Sequence, residues 1–225
     1  MTLKLHYHPL ASFCWKVLIA LYEAEIPFEA ELVDLGDEDS RARFFALWPI
    51  GKMPVLQDAA RGRVVPETSI IIEYLDLHHG GAMLPADPEA RLEARLWDRL
   101  YDAYVHQPMQ RAVAARLGRE PAAWEAVSAQ SSAELAQAYD LIETALDGRT
   151  WAAGEAFSIA DCAAAPALFY AATVLPVPET KVRLSAYFER LAARPSVARV
   201  FAEARPYFHM FPLRDALQPR FRDGA

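Results

Sequence analysis

The sequence changes character near residue 80, and this change limits the folds that the chain can adopt. Before it, short runs typical of β-strands alternate with runs of helical periodicity. After it, almost every segment has the periodicity of a helix. The first part is predicted to have the order βαβ-ββα, with strands at 3–8, 27–33, 54–57 and 63–65 and helices at 12–24, 41–47 and 67–78. Its first half would form two parallel strands joined by a right-handed crossover, and the second would add a hairpin and a covering helix.

The second part begins with a strong helix start. After a predicted linker at residues 80–86, Asp87-Pro88-Glu89 supplies an N-cap, a proline at the first helical position and an acid in the first turn. Four large side chains then recur every fourth residue, at Leu92, Leu96, Leu100 and Tyr104. Further helices are predicted at 121–147, 159–175, 181–193 and 196–204, followed by an aromatic tail. We therefore predict an α/β domain at 1–79 and an all-α helical bundle at 87–225.

Charge and composition exclude several classes of function. With 30 acidic and 23 basic residues, the chain carries a net charge of −7, and its arginines are interspersed with acids. A nucleic-acid-binding protein needs a basic stripe to neutralise phosphates, so we expect no nucleic-acid partner. The apolar runs are shorter than the roughly 18 residues of a membrane span, so no membrane association is expected. The start of the chain lacks a signal peptide and already alternates like a strand, which predicts a cytoplasmic protein.

Metal and nucleotide cofactors also lack support in the sequence. Cys14 and Cys162 lie too far apart in sequence to indicate a disulfide framework or a zinc site, and the six histidines show no ligand spacing. No Gly-x-Gly-x-x-Gly motif occurs, and Gly51-Lys52 lacks the rest of a phosphate loop. We expect no metal.

Four short motifs remain, and each has an ordinary structural explanation. Ser12–Val17 (SFCWKV) begins a helix after the first strand, and Gly51–Leu56 (GKMPVL) contains a proline turn before a strand. Pro66–Ile70 (PETSI) places an acid and a hydroxyl at a helix start, where they are first of all capping residues. Phe157–Cys162 (FSIADC) contains a Ser-x-x-acid capping box.

Together, in this order, the four motifs resemble those of a cytosolic glutathione S-transferase, and the resemblance covers about residues 1–204. It implies a thioredoxin-like N-terminal domain, a helical C-terminal domain, glutathione as co-substrate and usually a homodimer, for which exposed apolar residues such as Trp48 and Ile50 are candidates. The implied activity is attack of the glutathione thiolate on a small apolar electrophile, as in detoxification. The fourth motif is structural in this family.

The resemblance leaves the residue that activates the thiol open. Many relatives with this first motif have an activating serine one place earlier, where this chain has Ala11. Ser12 stands beside that position at a helix N-terminus, whose N–H groups and dipole stabilise a thiolate. Tyr7 ends the first strand, where tyrosine-type relatives carry an activating phenol. Cys14 is a redox candidate, but its helical spacing with Val17 favours a buried structural role. The ranking is Ser12, then Tyr7, then Cys14.

The second and third motifs resemble the family's glutathione-binding segments. The resemblance implies that Met53 and Pro54 are joined by a cis bond and that the backbone before Pro54 pairs with the cysteinyl part of glutathione. Lys52 would bind the glycyl carboxylate. Glu67 would bind the γ-glutamyl ammonium, and Thr68 the carboxylate at that end.

The binding site for the electrophile is expected between the domains, with Tyr101, Tyr104 and His106 as candidates for an aromatic cleft. The same residues at helical spacing are also typical of a core.

Two alternatives to a transferase stay open. One is a glutathione-dependent thiol reductase or isomerase, which needs a nucleophilic cysteine. The other is a non-catalytic binding or dimerisation module, which the missing serine at Ala11 keeps in consideration.

Overall fold

The first part of the chain folds around a four-stranded mixed sheet. The computed structural model describes residues 3–118 and 121–224, so residues 1–2, 119–120 and 225 of the two predicted domains lie outside it. The strands are β1 Leu3–Tyr7, β2 Phe28–Leu32, β3 Val55–Asp58 and β4 Arg63–Pro66. They lie in the order β2-β1-β3-β4, in which only β1 and β2 are parallel. The helices of this part are α1 Ser12–Glu23, α2 Glu38–Leu47 and α3 Thr68–His79.

This arrangement confirms the predicted βαβ-ββα order and the thioredoxin-like fold that the resemblance implied. The observed bounds differ from the predicted ones by one to three residues at most ends. The Met53-Pro54 peptide bond is cis, as the resemblance implied.

The second part is helical. Its helices are α4 Pro88–Leu100, α5 Gln107–Leu117, α6 Pro121–Ala145, α7 Ile159–Ala171, α8 Val182–Ala192, α9 Pro195–Ala204 and the short α10 Pro219–Arg222. A π-helical segment, Tyr101–His106, joins α4 to α5 without a break. Two 3₁₀ turns, Arg205–Met210 and Arg214–Ala216, carry the chain from α9 to α10. Within the described ranges, no helix is both long enough and apolar enough to cross a membrane.

Helix α1 is buried on all sides, although its spacing predicted a single buried face. Every residue from Cys14 to Leu21 is buried. The reason is that α1 packs against α3 and also against α7 and α9 of the helical part. The core is therefore shared by the two parts of the chain, and the N-terminus of α1 points toward the boundary between them.

Two predicted caps are confirmed and fix the starts of helices. The Asp87 carboxylate accepts a hydrogen bond of 2.8 Å from the backbone N–H of Ala90. Ser158 and Asp161 form the predicted capping box at the start of α7. The intervening segment 80–86 is held by Asp76, whose carboxylate accepts hydrogen bonds from the backbone N–H groups of Met83 and Leu84. The domain limits of 1–79 and 87–225 stay a prediction.

The side chains that recur every fourth residue along α4 form a surface stripe. Leu92, Leu96 and Tyr104 are each more than half exposed. The face that packs into the core carries Ala94 and Trp97 of α4 and Tyr101 of the π-helical segment instead. Leu100 of the same repeat packs against the core, and Tyr104 lies beside Leu141 of α6, so the stripe is most open at Leu92 and Leu96.

Candidate active site

A cleft of about 960 Å³ lies between the sheet domain and the helical rod formed by α4, the π-helical segment and α5. From the first part of the chain it is lined by Phe13, Ile50, Lys52, Met53, Pro54, Glu67, Thr68, Ser69, Ile70 and Glu73. From the rod it is lined by Arg95, Asp98, Arg99, Asp102, Gln107, Gln110, Arg111 and Ala114. Its size is suited to a ligand as large as a tripeptide together with a second small molecule.

All five predicted glutathione-binding residues outside α1 line this cleft, namely Lys52, Met53, Pro54, Glu67 and Thr68. They come from two separate segments, the loop before β3 and the start of α3. In the described part of the chain, no backbone–backbone hydrogen bond outside the regular elements involves Met53. Its N–H and C=O are therefore available to a peptide-like ligand, which is a geometry that fits glutathione.

Glu67 has a backbone conformation that non-glycine residues rarely adopt. Its φ is 67°, in the left-handed region, and it is the N-cap of α3 without a capping hydrogen bond from its side chain. Such a conformation costs of the order of 1 kcal/mol or more and is concentrated at ligand-binding sites. The Glu67 carboxylate takes no part in capping α3, and the residue lines the cleft.

Ser12 lies beside the cleft at the N-terminus of α1. It does not act as the N-cap, because that position is occupied by Ala11, which has no side chain able to cap. The Ser12 side chain is almost fully buried, and its Oγ accepts a long hydrogen bond of 3.5 Å from Gln110 Nε2 of α5. Both Gln110 and the next residue, Phe13, line the cleft. The structure therefore brings Ser12 to the edge of the cleft without exposing it there.

Tyr7, the second candidate for activation, is not among the residues that line the cleft. It packs against the main core, and burial raises its pKa, with smaller contributions from Glu203, Tyr207 and Cys14. Its phenol therefore stays protonated at neutral pH.

Cys14 is fully buried, which confirms the core position that its spacing predicted. Burial raises the pKa of its thiol to about 12, against the lowering effect of a hydrogen bond to the His8 backbone. The thiol therefore stays protonated at neutral pH, so Cys14 is a poor nucleophile.

The three residues predicted to bind the electrophile do not line the cleft. Tyr101 is fully buried among core residues such as Trp97, and Tyr104 lies on the exposed stripe beside Leu141. His106 is also fully buried, behind Phe13, with which it stacks at a centroid distance of 4.3 Å. Phe13 is therefore the aromatic residue among those that line the cleft, and the placement of Tyr101, Tyr104 and His106 does not support their predicted role.

The residues that the sequence did not reveal are the polar ones on the helical rod. Arg95, Asp98, Arg99 and Asp102 follow the i, i+3, i+4, i+7 spacing of one α-helical face, and Gln107, Gln110, Arg111 and Ala114 repeat that spacing. Between Asp102 and Gln107 the step is five residues, and it falls within the π-helical segment. An uninterrupted α-helix would instead continue this face through Val105, His106 and Met109, which are all buried in the structure.

A buried ion cluster fixes this rod beneath the cleft. Lys16 of α1 has no exposed surface, and its Nζ lies 2.6 Å from Asp98 Oδ1 and 2.8 Å from Asp102 Oδ2. Ser69 of α3 accepts a hydrogen bond of 3.0 Å from Lys16 Nζ and donates one of 2.6 Å to Asp98 Oδ2. Burial raises the pKa of Asp98, whereas His106 and Lys16 lower that of Asp102 against the effect of its burial.

The comparisons with known proteins agree with this geometry. The N-terminal domain of glutathione S-transferase matches residues 11–78, and its C-terminal domain matches residues 102–195. A glutathione S-transferase of Silene vulgaris is 27% identical over 225 residues, covering 90% of this chain and 98% of the relative. FtsZ-localized protein A of Caulobacter vibrioides is 30% identical over 215 residues, covering 90% of this chain and 92% of the relative.

Solved structures lead to the same assignment. FzlA from C. crescentus has a TM-score of 0.80 at 27% identity and covers 99% of both chains. A delta-class glutathione transferase of Nilaparvata lugens has a TM-score of 0.82, covering 94% of this chain and 99% of that one, and at 21% identity it shows the fold alone. The chain belongs to the glutathione S-transferase family, whose co-substrate is glutathione.

Proposed function

We propose that this protein is a glutathione transferase that binds glutathione in the cleft and directs its thiolate onto a small electrophile. One observation carries the proposal: Lys52, Met53, Glu67 and Thr68, from two distant segments, line a single cleft that also reaches the start of α1. Their chemistry is complementary to the two ends and the middle of a γ-glutamyl tripeptide.

In this proposal each group has one partner on glutathione. The Lys52 ammonium binds the glycyl carboxylate, and the Met53 backbone pairs with the cysteinyl backbone. The Glu67 carboxylate binds the γ-glutamyl ammonium. The Thr68 hydroxyl and backbone N–H bind the γ-glutamyl carboxylate at the start of α3, where the helix dipole favours an anion.

The sulfur would then lie near the N-terminus of α1. A thiol has a pKa of about 8.5, and lowering it by about two units corresponds to about 2.7 kcal/mol in favour of the anion. The hydroxyl of Ser12 and the free N–H groups of the helix start are the donors for this stabilisation. The thiol proton passes to solvent. The thiolate then forms a bond to an electrophilic carbon, and the leaving group departs with the electrons of the bond that breaks.

We expect saturable binding of glutathione at millimolar concentration or below, measured by isothermal titration calorimetry. Lys52→Ala and Glu67→Gln should each weaken it by about tenfold or more, because each removes a charge-assisted hydrogen bond. Lys4→Ala is a matched control, since Lys4 pairs with Glu29 and Glu31 on the sheet and does not line the cleft. Failure of the unchanged protein to bind glutathione would contradict the proposal.

The activating residue is tested by the pH at which bound glutathione ionises. We expect a midpoint below that of the free thiol, followed by ultraviolet absorbance of the thiolate. Ser12→Ala should raise this midpoint by about one pH unit, because a hydrogen bond to a charged group is worth roughly 1.5 kcal/mol or more. Tyr7→Phe should leave it unchanged, because Tyr7, unlike Ser12, has no described side-chain hydrogen bond to a residue that lines the cleft. A raised midpoint in Tyr7→Phe alone would transfer the role to the tyrosine.

A second candidate function is a binding role without catalysis. It is favoured by the similarity to FtsZ-localized protein A, which extends over nearly the whole of both chains, and by Ala11 at the position of the usual serine. In that case the protein would sediment with assembled FtsZ polymers and would show no turnover with glutathione and activated aryl halides.

Reductase or isomerase chemistry is the least favoured alternative, because the cysteine that it needs is buried. Burial raises the pKa values of both Cys14 and Cys162. We therefore expect neither thiol to react with an aromatic disulfide reagent at pH 8 until the protein is unfolded, when both should react. Rapid reaction of one thiol in the folded protein would revive the reductase hypothesis, and Cys14→Ser would show which thiol it is.

Homodimerisation and a cytoplasmic location stay predictions. For the dimer, Ile50 is 64% exposed, whereas Trp48 packs partly against the small cluster of Val33, Phe44 and Val55. The exposed stripe of Leu92, Leu96 and Tyr104 is a further apolar surface suited to a second copy. A monomeric mass at micromolar concentration in sedimentation would contradict the dimer.

A further inference from the structure

The part of the cleft next to Ser12 is walled by polar side chains. On α5 the cleft-lining residues are Gln107, Gln110, Arg111 and Ala114, three of them polar. Gln110 contacts Ser12 directly, with 3.5 Å between Nε2 and Oγ. This face of α5 therefore borders the place where the proposed function puts the sulfur, which is also where the second substrate must approach.

The polar face results from the π-helical segment. If the α-helical phase set by Asp98 and Asp102 continued, the wall would present Val105, His106 and Met109. The segment Tyr101–His106 turns these residues into the core and brings Gln107 and Arg111 to the cleft. Since π-helical turns are uncommon and are concentrated at functional sites, this change of phase points to a requirement for polar groups here.

Arg111 is held in place for binding an anion. Its guanidinium pairs with Glu134 of α6 through one nitrogen, and Glu134 also accepts a hydrogen bond of 3.0 Å from Gln130. A guanidinium has five N–H donors in a fixed plane, so this contact leaves others free. The Arg111 side chain is 45% exposed, which leaves it accessible from the cleft.

The acid nearest to Arg111 is its partner Glu134, which engages one guanidinium nitrogen from α6 and is not among the residues that line the cleft. Asp98 and Asp102 share the buried ammonium of Lys16. Asp98 lies near the end of α4, where it accepts a hydrogen bond from Ser69 next to the predicted γ-glutamyl end, and Asp102 lies in the π-helical segment, so both precede the α5 face. The α5 face itself contributes two amides and a guanidinium to the cleft and no carboxylate.

We propose that the second substrate carries a carboxylate, bound by Arg111 with the amides of Gln107 and Gln110 beside it, while its carbon skeleton rests on Phe13 and Ala114. This inference rests on the proposed function, because it takes the position of the sulfur from it. It replaces the wholly apolar electrophile expected from Tyr101, Tyr104 and His106 with an amphiphilic one. A planar carboxylate matches the donor geometry of a guanidinium, and an uncharged isostere leaves donors unpaired.

The test uses two synthetic glutathione thioethers that share an ortho-nitrophenyl ring and differ only in the para substituent. One carries a carboxylate and the other a carboxamide. Calorimetry on the full chain should show that the carboxylate conjugate binds at least about tenfold more tightly than the carboxamide. Arg111→Gln should abolish this preference while leaving the affinity for glutathione itself unchanged. Arg116→Gln, on the same helix but stacked over Trp124 and outside the cleft, should keep the preference.

The outcomes separate this inference from the proposed function. Glutathione binding with equal affinity for the two conjugates would overturn the carboxylate site and leave the transferase proposal intact. A preference that survives in Arg111→Gln would likewise overturn the assignment. Absence of binding by glutathione and by both conjugates would overturn the proposed function and this inference with it. Turnover of the two matching aryl fluorides should follow the same order. The unchanged protein should have a higher kcat/KM for the carboxylate than for the carboxamide, and Arg111→Gln should lose this difference.

Discussion

The architecture depends on one buried cation. Lys16 Nζ is removed from solvent and lies within 2.8 Å of carboxylate oxygens from both Asp98 and Asp102. An unpaired buried charge costs several kcal/mol, so α1 of the sheet domain and the rod of the helical part must stay in contact to satisfy all three groups. Ser69 ties α3 to the same cluster by hydrogen bonds to Lys16 and Asp98. The walls of the cleft are therefore fixed by a polar interaction at the boundary between the two parts of the chain.

The second constraint is which face of the helical rod points to the cleft. The ion pairs set which face of α4 points to the cleft, and the π-helical segment then changes the face that α5 presents. Val105 and Met109 enter the core as a result, and their burial favours the segment energetically. The polar character of the α5 side of the cleft is thus a consequence of helix geometry.

The sequence predicted the elements of the fold, and the residues that it proposed for glutathione lie together in one cleft, because both depend on local signals. Lys52 stands at a proline turn, and Glu67 and Thr68 stand at a helix start. The local sequence indicates such positions regardless of which residues pack against them. Tyr101 and His106 do not line the cleft, and their prediction as site residues did not rest on a local signal of this kind. Their orientation depends on a π-helical turn that α-helical periodicity does not reveal. The full burial of α1 was also missed, since it results from packing between two domains.

Alanine at position 11, in place of the usual serine, is compatible with the thiol activation that we propose. A serine at the N-cap commonly uses its oxygen to accept a hydrogen bond from the helix backbone. Ala11 occupies that position here, and the only described side-chain partner of the Ser12 hydroxyl is the amide of Gln110. Because this amide donates to Oγ, the hydroxyl proton remains free to be donated elsewhere. In our proposal the α5 face that contacts the second substrate also contacts Ser12, so that thiol activation and substrate selection would both depend on one helix.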